Sequence, residues 1–271
     1  MNGENKTRLI ELIASYIDEF KVKVFNILRC SKILISLDNK CILITRTATN
    51  LDENLTSNQE EADSKVILHC CRILREKNDL IVTLRSPSGD TDIVVLAVAL
   101  LNQFKSNVIL DDGNGKQRKI IRLSDIDIDD DLVKAMIGFH SFSGNDYVSS
   151  FFRKGKEKCW KLLEKTRKFQ AAMEQASSPE VSSELYKLLE EYVCQIYGYC
   201  CKSIDGVRYK IYTKKFKKEN KVIDMASLPP CSSVLRLHTM RSKYCSLSME
   251  AIDRGYNNST KYFKLWLDSR I

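Results

Sequence analysis

Between Asn5 and Phe20 apolar residues recur at helical spacing, with Leu9, Ile10, Leu12, Ile13 and Ile17 sharing one side. That spacing predicts an amphipathic helix. Residues 33–37 and 41–45 then read as two strands around an Asp38-Asn39 turn. A polar loop runs from Thr49 to Gln59. A helix is expected over about 60–77, with Val66, Ile67, Cys70, Ile73 and Leu74 facing inward. Residues 80–84 form a near-continuous apolar run, the kind buried on both faces of a parallel sheet. Ser86-Pro87-Ser88-Gly89 turns the chain. Asp90 or Thr91 then opens a helix that is apolar almost all round from Ile93 to Leu101. Further strands are expected at 108–110 and 119–123, and a short helix at 132–139. Strands alternating with helices predict an α/β fold with a doubly wound, mainly parallel sheet.

From Tyr147 onward the pattern is helical, over roughly 147–152, 156–176 and 180–201, then around 234–244. Residues 209–218 read as a short basic strand or loop, and Leu228-Pro229-Pro230 breaks the chain. The expected organisation is an α/β domain over 1–146 and a helical, basic region over 147–271.

Composition narrows the function classes. The chain has 271 residues and a net charge of +8. Residues 1–150 carry 19 Lys+Arg against 22 Asp+Glu, whereas 151–271 carry 24 against 13. An acidic half joined to a basic half suits a cation site beside a phosphate-backbone surface, and charge alone fits a solvated basic surface better still. No apolar run reaches the roughly 18 residues of a membrane span, so no membrane partner is expected. The N-terminus has no secretory-signal pattern. None of the ten cysteines shows zinc-ligand CxxC spacing, and buried reduced thiols fit a nuclear or cytoplasmic protein.

The candidate chemistry lies in five carboxylates: Glu61 and Asp63 around Ala62, Asp90 and Asp92 around Thr91, and Asp146. Each cluster follows a strand or loop and opens an amphipathic run. Taken singly, such acids cap helices and complement their dipoles. Gathered, they repel unless they share hard cations such as Mg²⁺ or Mn²⁺, which prefer oxygen ligands. Two such ions can hold both oxygens of a phosphodiester displacement. His69, His140 and His238 each stand without a ligand partner in sequence and read as packed or exposed side chains.

The order Glu61-Ala62-Asp63, Asp90-Thr91-Asp92, Gly144-Asn145-Asp146-Tyr147 resembles the flap endonuclease/XPG branch of the PIN-like nucleases. Within that superfamily it is most similar to uncharacterised, often transposon-associated animal members. Further shared elements are Gly138-Phe139-His140, Lys154-Gly155-Lys156, Leu228-Pro229-Pro230 and the stretch from Leu235 to Tyr244. The resemblance implies a three-layer PIN-like α/β nuclease domain over 1–146. A helix-turn-helix-like element that grips DNA would follow at about 147–168. It implies that Glu61, Asp63, Asp90, Asp92 and Asp146 are the metal-binding and catalytic residues of a two-metal Mg²⁺ or Mn²⁺ site. Arg153, Lys154, Gly155, Lys156, Lys158 and Lys161 would bind nucleic acid, DNA rather than RNA, without sequence preference.

One departure matters. The family opens with an aspartate-bearing strand and a second aspartate near an F-D-G element, both upstream of a helix like that starting at Asn5. The expectation is therefore an N-terminally incomplete domain with a weakened metal site. Three functions stay open at this point: a metal-dependent, structure-directed 5′ nuclease; a non-catalytic nucleic-acid-binding remnant; and an α/β protein-interaction module.

Overall fold

The computed structural model describes residues 3–37, 39–56, 62–77, 79–87, 91–178, 182–219 and 223–253. The chain divides into two compact units, residues 1–73 and 74–271, and the division falls inside one helix.

The first unit opens with α1 (Gly3–Glu19) and α2 (Lys21–Leu28). Three strands follow, β1 (Lys32–Leu37), β2 (Lys40–Thr45) and β3 (Thr49–Leu51). They form an antiparallel sheet in the order β1-β2-β3, with Leu37 opposite Lys40 and Lys32 opposite Thr45. α3 (Ala62–Glu76) closes the unit and runs beyond it. Phe25, Cys41, Ile44, Ile67 and Cys71 are fully buried. Two expectations about facing fail here. Leu9, Leu12 and Ile13 of α1 are exposed, and so is Val66 of α3. β3 and α2 occupy stretches whose polar or short patterns gave no element in the sequence.

The second unit holds β4 (Val82–Ser86), α4 (Thr91–Leu100), β5 (Val108–Asp112) and β6 (Lys119–Arg122). β4 and β5 pair in parallel, and β5 and β6 pair antiparallel. The expected doubly wound, mainly parallel, three-layer PIN-like sheet is therefore corrected. Among the described residues there are two three-stranded sheets, one antiparallel and one mixed, in a chain that is mostly helix. The physical reason is loop length. A parallel pair needs a crossover of about a dozen residues or more. Residues 113–118 are too few for one, so β6 folds back on β5.

Helices dominate from residue 130. They are α5 (Asp130–Ser143), α6 (Lys156–Glu164), α7 (Arg167–Ala176), α8 (Ser183–Ile196), α9 (Ile204–Glu219) and α10 (Ser232–Asp253). Asp129 caps α5, its carboxylate accepting from the Asp131 N–H at 2.9 Å, a bond that commonly stabilises by about 1 kcal/mol. One core runs from Leu132 of α5 to Leu235 of α10, centred on Phe142, Leu163, Phe169, Met173 and Tyr192. The Tyr192 hydroxyl donates to the Cys159 carbonyl at 2.8 Å, so its polar end is satisfied inside the core. Gly138 lets α5 and α7 touch, since a Cβ there would lie 1.9 Å from the Met173 carbonyl oxygen.

The expected helices at 147–152 and 156–176 also need correction. Residues 147–152 form bends and a turn. The longer stretch is two helices, α6 and α7, parted at Lys165 and Thr166. There the Gln170 amide donates to the Leu163 and Glu164 carbonyls, both at 3.1 Å. A side chain thus adds a donor to two carbonyls at the end of α6, where the Leu163 carbonyl also accepts from the Thr166 N–H at 3.0 Å. Residues 209–218 are helical, within α9.

Candidate nucleic-acid interface

The basic turn follows from packing on both sides. Phe151 is buried ahead of it, and Cys159 and Leu163 are buried behind it. Between these anchors the chain reverses, closed by the Lys154 N–H donating to the Phe151 carbonyl at 2.9 Å. Arg153 takes φ +53°, a left-handed conformation that costs a non-glycine residue roughly 1–2 kcal/mol. Gly155 is the N-cap of α6 and has no side-chain cap. A Cβ placed there would meet nothing within 4 Å, so the side of the turn that Gly155 faces is open.

The cations of this turn differ in what they do. Arg153 is exposed, with its guanidinium 5.1 Å from the centre of its neighbour Phe152. Lys158 is exposed. Lys161 bonds Glu157 at 2.6 Å, one turn back, and each holds the other's charged form more firmly. Lys154 is half-buried with its ammonium 4.6 Å from the Tyr197 ring. Burial lowers its pKa first, and Lys158 adds to the effect.

Lys156 reaches in a different direction. It is the first residue of α6, and its ammonium lies 3.1 Å from His140 Nδ1 and 3.9 Å from Asp92 Oδ1. His140, on α5, has only 1% of its side chain exposed. Its other ring nitrogen, Nε2, lies 3.5 Å from Asp92 Oδ2 and makes no hydrogen bond of ordinary length. An ammonium donates and cannot accept, so Nδ1 is the acceptor and the proton sits on Nε2, facing Asp92. Three elements thus meet: the start of α4 supplies a carboxylate, α5 a buried imidazole and α6 a cation. The imidazole lies between the carboxylate and the lysine, and the lysine places a positive charge 3.9 Å from the carboxylate.

Of the other expected site residues, only Asp63 and Asp146 are described. Glu61 and Asp90 lie outside the described residues. Asp63 is half-buried in the first turn of α3, in the first unit, whereas Asp92 and Asp146 belong to the second. Asp146 is exposed on a bend, and no helix follows it. Its neighbours shape that bend. Asn145 Oδ1 accepts from the N–H groups of Tyr147 and Val148 at 3.0 and 2.9 Å. Gly144 holds φ +115°, where a Cβ would lie 2.7 Å from Ser150 Cα. Glycine is therefore required at this position for a backbone reason.

Among the described residues, no three His, Cys, Asp or Glu side chains gather closely enough to hold a metal ion. Asp92 is one oxygen ligand and is faced by a lysine, whereas Mg²⁺ demands near-ideal octahedral coordination. No Mg²⁺ or Mn²⁺ centre is formed among the described residues, which lack two of the five expected ligands, Glu61 and Asp90.

His140 is the residue that sequence reasoning passed over. The signal it gave was chemical: an imidazole in the apolar run from Met136 to Phe142 must find polar partners if buried. The chain matches no family model, no curated protein and no solved structure. No helix among the described residues is long and apolar enough to cross a membrane.

Proposed function

We propose that this chain is a nuclease-like protein that binds the phosphate backbone of nucleic acid, DNA foremost, at the turn 151–155 and the first turn of α6. The observation that carries the reading is the double role of Lys156. It opens α6 beside Arg153 and Lys158, and it is also the cation facing Asp92 and His140. Backbone amides at a helix start, an open glycine and flanking cations together suit a phosphate and carry no base information. A phosphate arriving there competes with Asp92 for Lys156. The resemblance to flap endonuclease-like proteins points to the same turn. The protein-interaction reading gives no role to a cation poised between a carboxylate and an open helix start.

Competition for Lys156 yields an asymmetric test. Fluorescence anisotropy of a labelled DNA duplex is measured at low salt with Lys156→Met and Asp92→Asn proteins. Lys156→Met is expected to weaken binding roughly 5–10-fold, the loss of one phosphate contact. Asp92→Asn releases the lysine and is expected to tighten binding roughly 2–5-fold, in line with the small worth of a solvent-accessible pair. Wild-type affinity in Lys156→Met, or equal weakening in both variants, rejects the reading.

A further inference from the structure

α9 carries a second surface that the basic turn does not explain. At about 100° per residue, Ile204, Val207 and Ile211 share one side. Ile204 and Val207 are fully buried, and Ile211 packs against the helical core. Two tethers fix the rotation of the helix. The Arg208 guanidinium donates to the Pro229 carbonyl, and Lys215 Nζ donates to Ser227 Oγ at 2.5 Å.

With that side held inward, three aromatic residues must face out. Tyr209, Tyr212 and Phe216 fall within an arc of about 60°. They are 69%, 39% and 54% exposed. The Tyr212 and Phe216 rings lie 6.1 Å apart and within 14° of parallel. Beside this stripe runs a second one of exposed cations: Lys210, Lys214 and Lys217 occupy a neighbouring arc of about 60°. Thr213 lies between the two, its hydroxyl turned back onto the Tyr209 and Lys210 carbonyls at 3.0 and 3.1 Å. It therefore leaves the strip between rings and lysines clear of a competing side chain.

We propose that this face of α9 binds single-stranded nucleic acid, with unstacked bases on Tyr209, Tyr212 and Phe216 and the phosphates along Lys210, Lys214 and Lys217. The lysine row calls for a polyanion. The parallel, exposed rings call for flat π-faces. A single strand offers both at once, whereas a duplex hides its base faces inside the stack. An exposed apolar stripe on a well-packed helix has a cost that a ligand would remove. The surface differs in ligand from the α6 turn and does not depend on it.

The test uses the full chain and a fluorescein-labelled oligothymidine, with the duplex and phosphatidylserine vesicles as parallel probes. Tyr209→Ala/Tyr212→Ala/Phe216→Ala should lower single-strand affinity at least about tenfold, because stacking on an aromatic residue carries much of such binding. Its salt dependence should be unchanged. Lys210→Ala/Lys214→Ala/Lys217→Ala should flatten the salt slope by roughly two units, at about 0.7 per lost contact. Neither variant should alter duplex affinity. All six side chains are exposed, so circular dichroism should show an intact fold, and Tyr209→Phe/Tyr212→Phe should retain binding. Wild-type single-strand affinity in the aromatic variant overturns the proposal, whatever the duplex does. Loss of vesicle binding alone assigns the stripe to a membrane surface and also overturns it. Loss of single-strand binding in a protein that never binds duplex upholds α9 and rejects the α6 reading.

Discussion

Replacing Arg153, Lys156 and Lys158 together with alanine is expected to lower duplex affinity at least about tenfold at low salt and to flatten the salt slope by roughly 2–3 units. Each neutralised phosphate releases condensed counterions, so each lost contact removes about 0.9 from the slope. These three are chosen over Lys154 and Lys161 on structural grounds. Lys154 is half-buried against Tyr197, and Lys161 is spent on Glu157 at 2.6 Å. The matched control, Lys154→Ala/Lys161→Ala, should change the slope by less than about one unit, because those ammoniums are committed within the protein. Anisotropy across a KCl titration reads both. Equal slopes for the two variants would make the turn an ordinary solvated basic surface.

The largest expected loss of stability comes from Gly138→Ala. In most helix interiors that change is favourable, by up to about 1 kcal/mol. Here the new methyl would sit 1.9 Å from the Met173 carbonyl oxygen and 3.1 Å from Ser177 Oγ. Ser177 Oγ could turn away, but the Met173 carbonyl can retreat only if α7 moves off α5. Forcing extra volume into a packed core usually costs about 1–3 kcal/mol, and a backbone clash belongs at the upper end or beyond. Urea unfolding should therefore show a midpoint lowered by about 3 kcal/mol or more in equivalent free energy. Gly155→Ala is the contrast, with open space around its Cβ, and should cost no more than about 1 kcal/mol. A Gly138→Ala midpoint equal to wild type would mean that α5 and α7 part freely, against the packing described.

The sequence made some of this legible. The all-round apolar helix from Ile93 corresponds to α4, but the apolar run at 80–84 marked β4 only in part: the strand is Val82–Ser86, it alternates between exposed and buried positions, and Leu80 and Ile81 are exposed. The sheet as a whole was misjudged. Three of the four strand pairings among the described residues are antiparallel. The loop between Asp112 and Lys119 was short enough to say so for β5 and β6. Hydrophobic patterning records which face is buried and is silent on strand direction. α9 was misread for a related reason. Tyr209, Ile211 and Thr213 alternate like a strand, while the stripe that settles its rotation, Ile204, Val207 and Ile211, begins before that window.

The candidate site was legible only by parts. Asp92 and Lys156 were both singled out, for separate roles, and their approach to 3.9 Å depends on how α4, α5 and α6 pack. Such a meeting has no signature in local spacing. His140 links them and was invisible as a partner, because its two neighbours are 48 residues before it and 16 after it in sequence. The break between α6 and α7 carries no glycine or proline, so periodicity ran straight through it.

The most direct test of the central claim is a two-dimensional NMR titration of ¹⁵N-labelled protein with a short DNA duplex. If the phosphate backbone is held at the α6 turn, the Gly155, Lys156 and Glu157 amides shift first and farthest, with the His140 ring nitrogens following as Lys156 leaves them. Saturable shifts that spare these amides, or no saturable shift at low salt, would contradict the account.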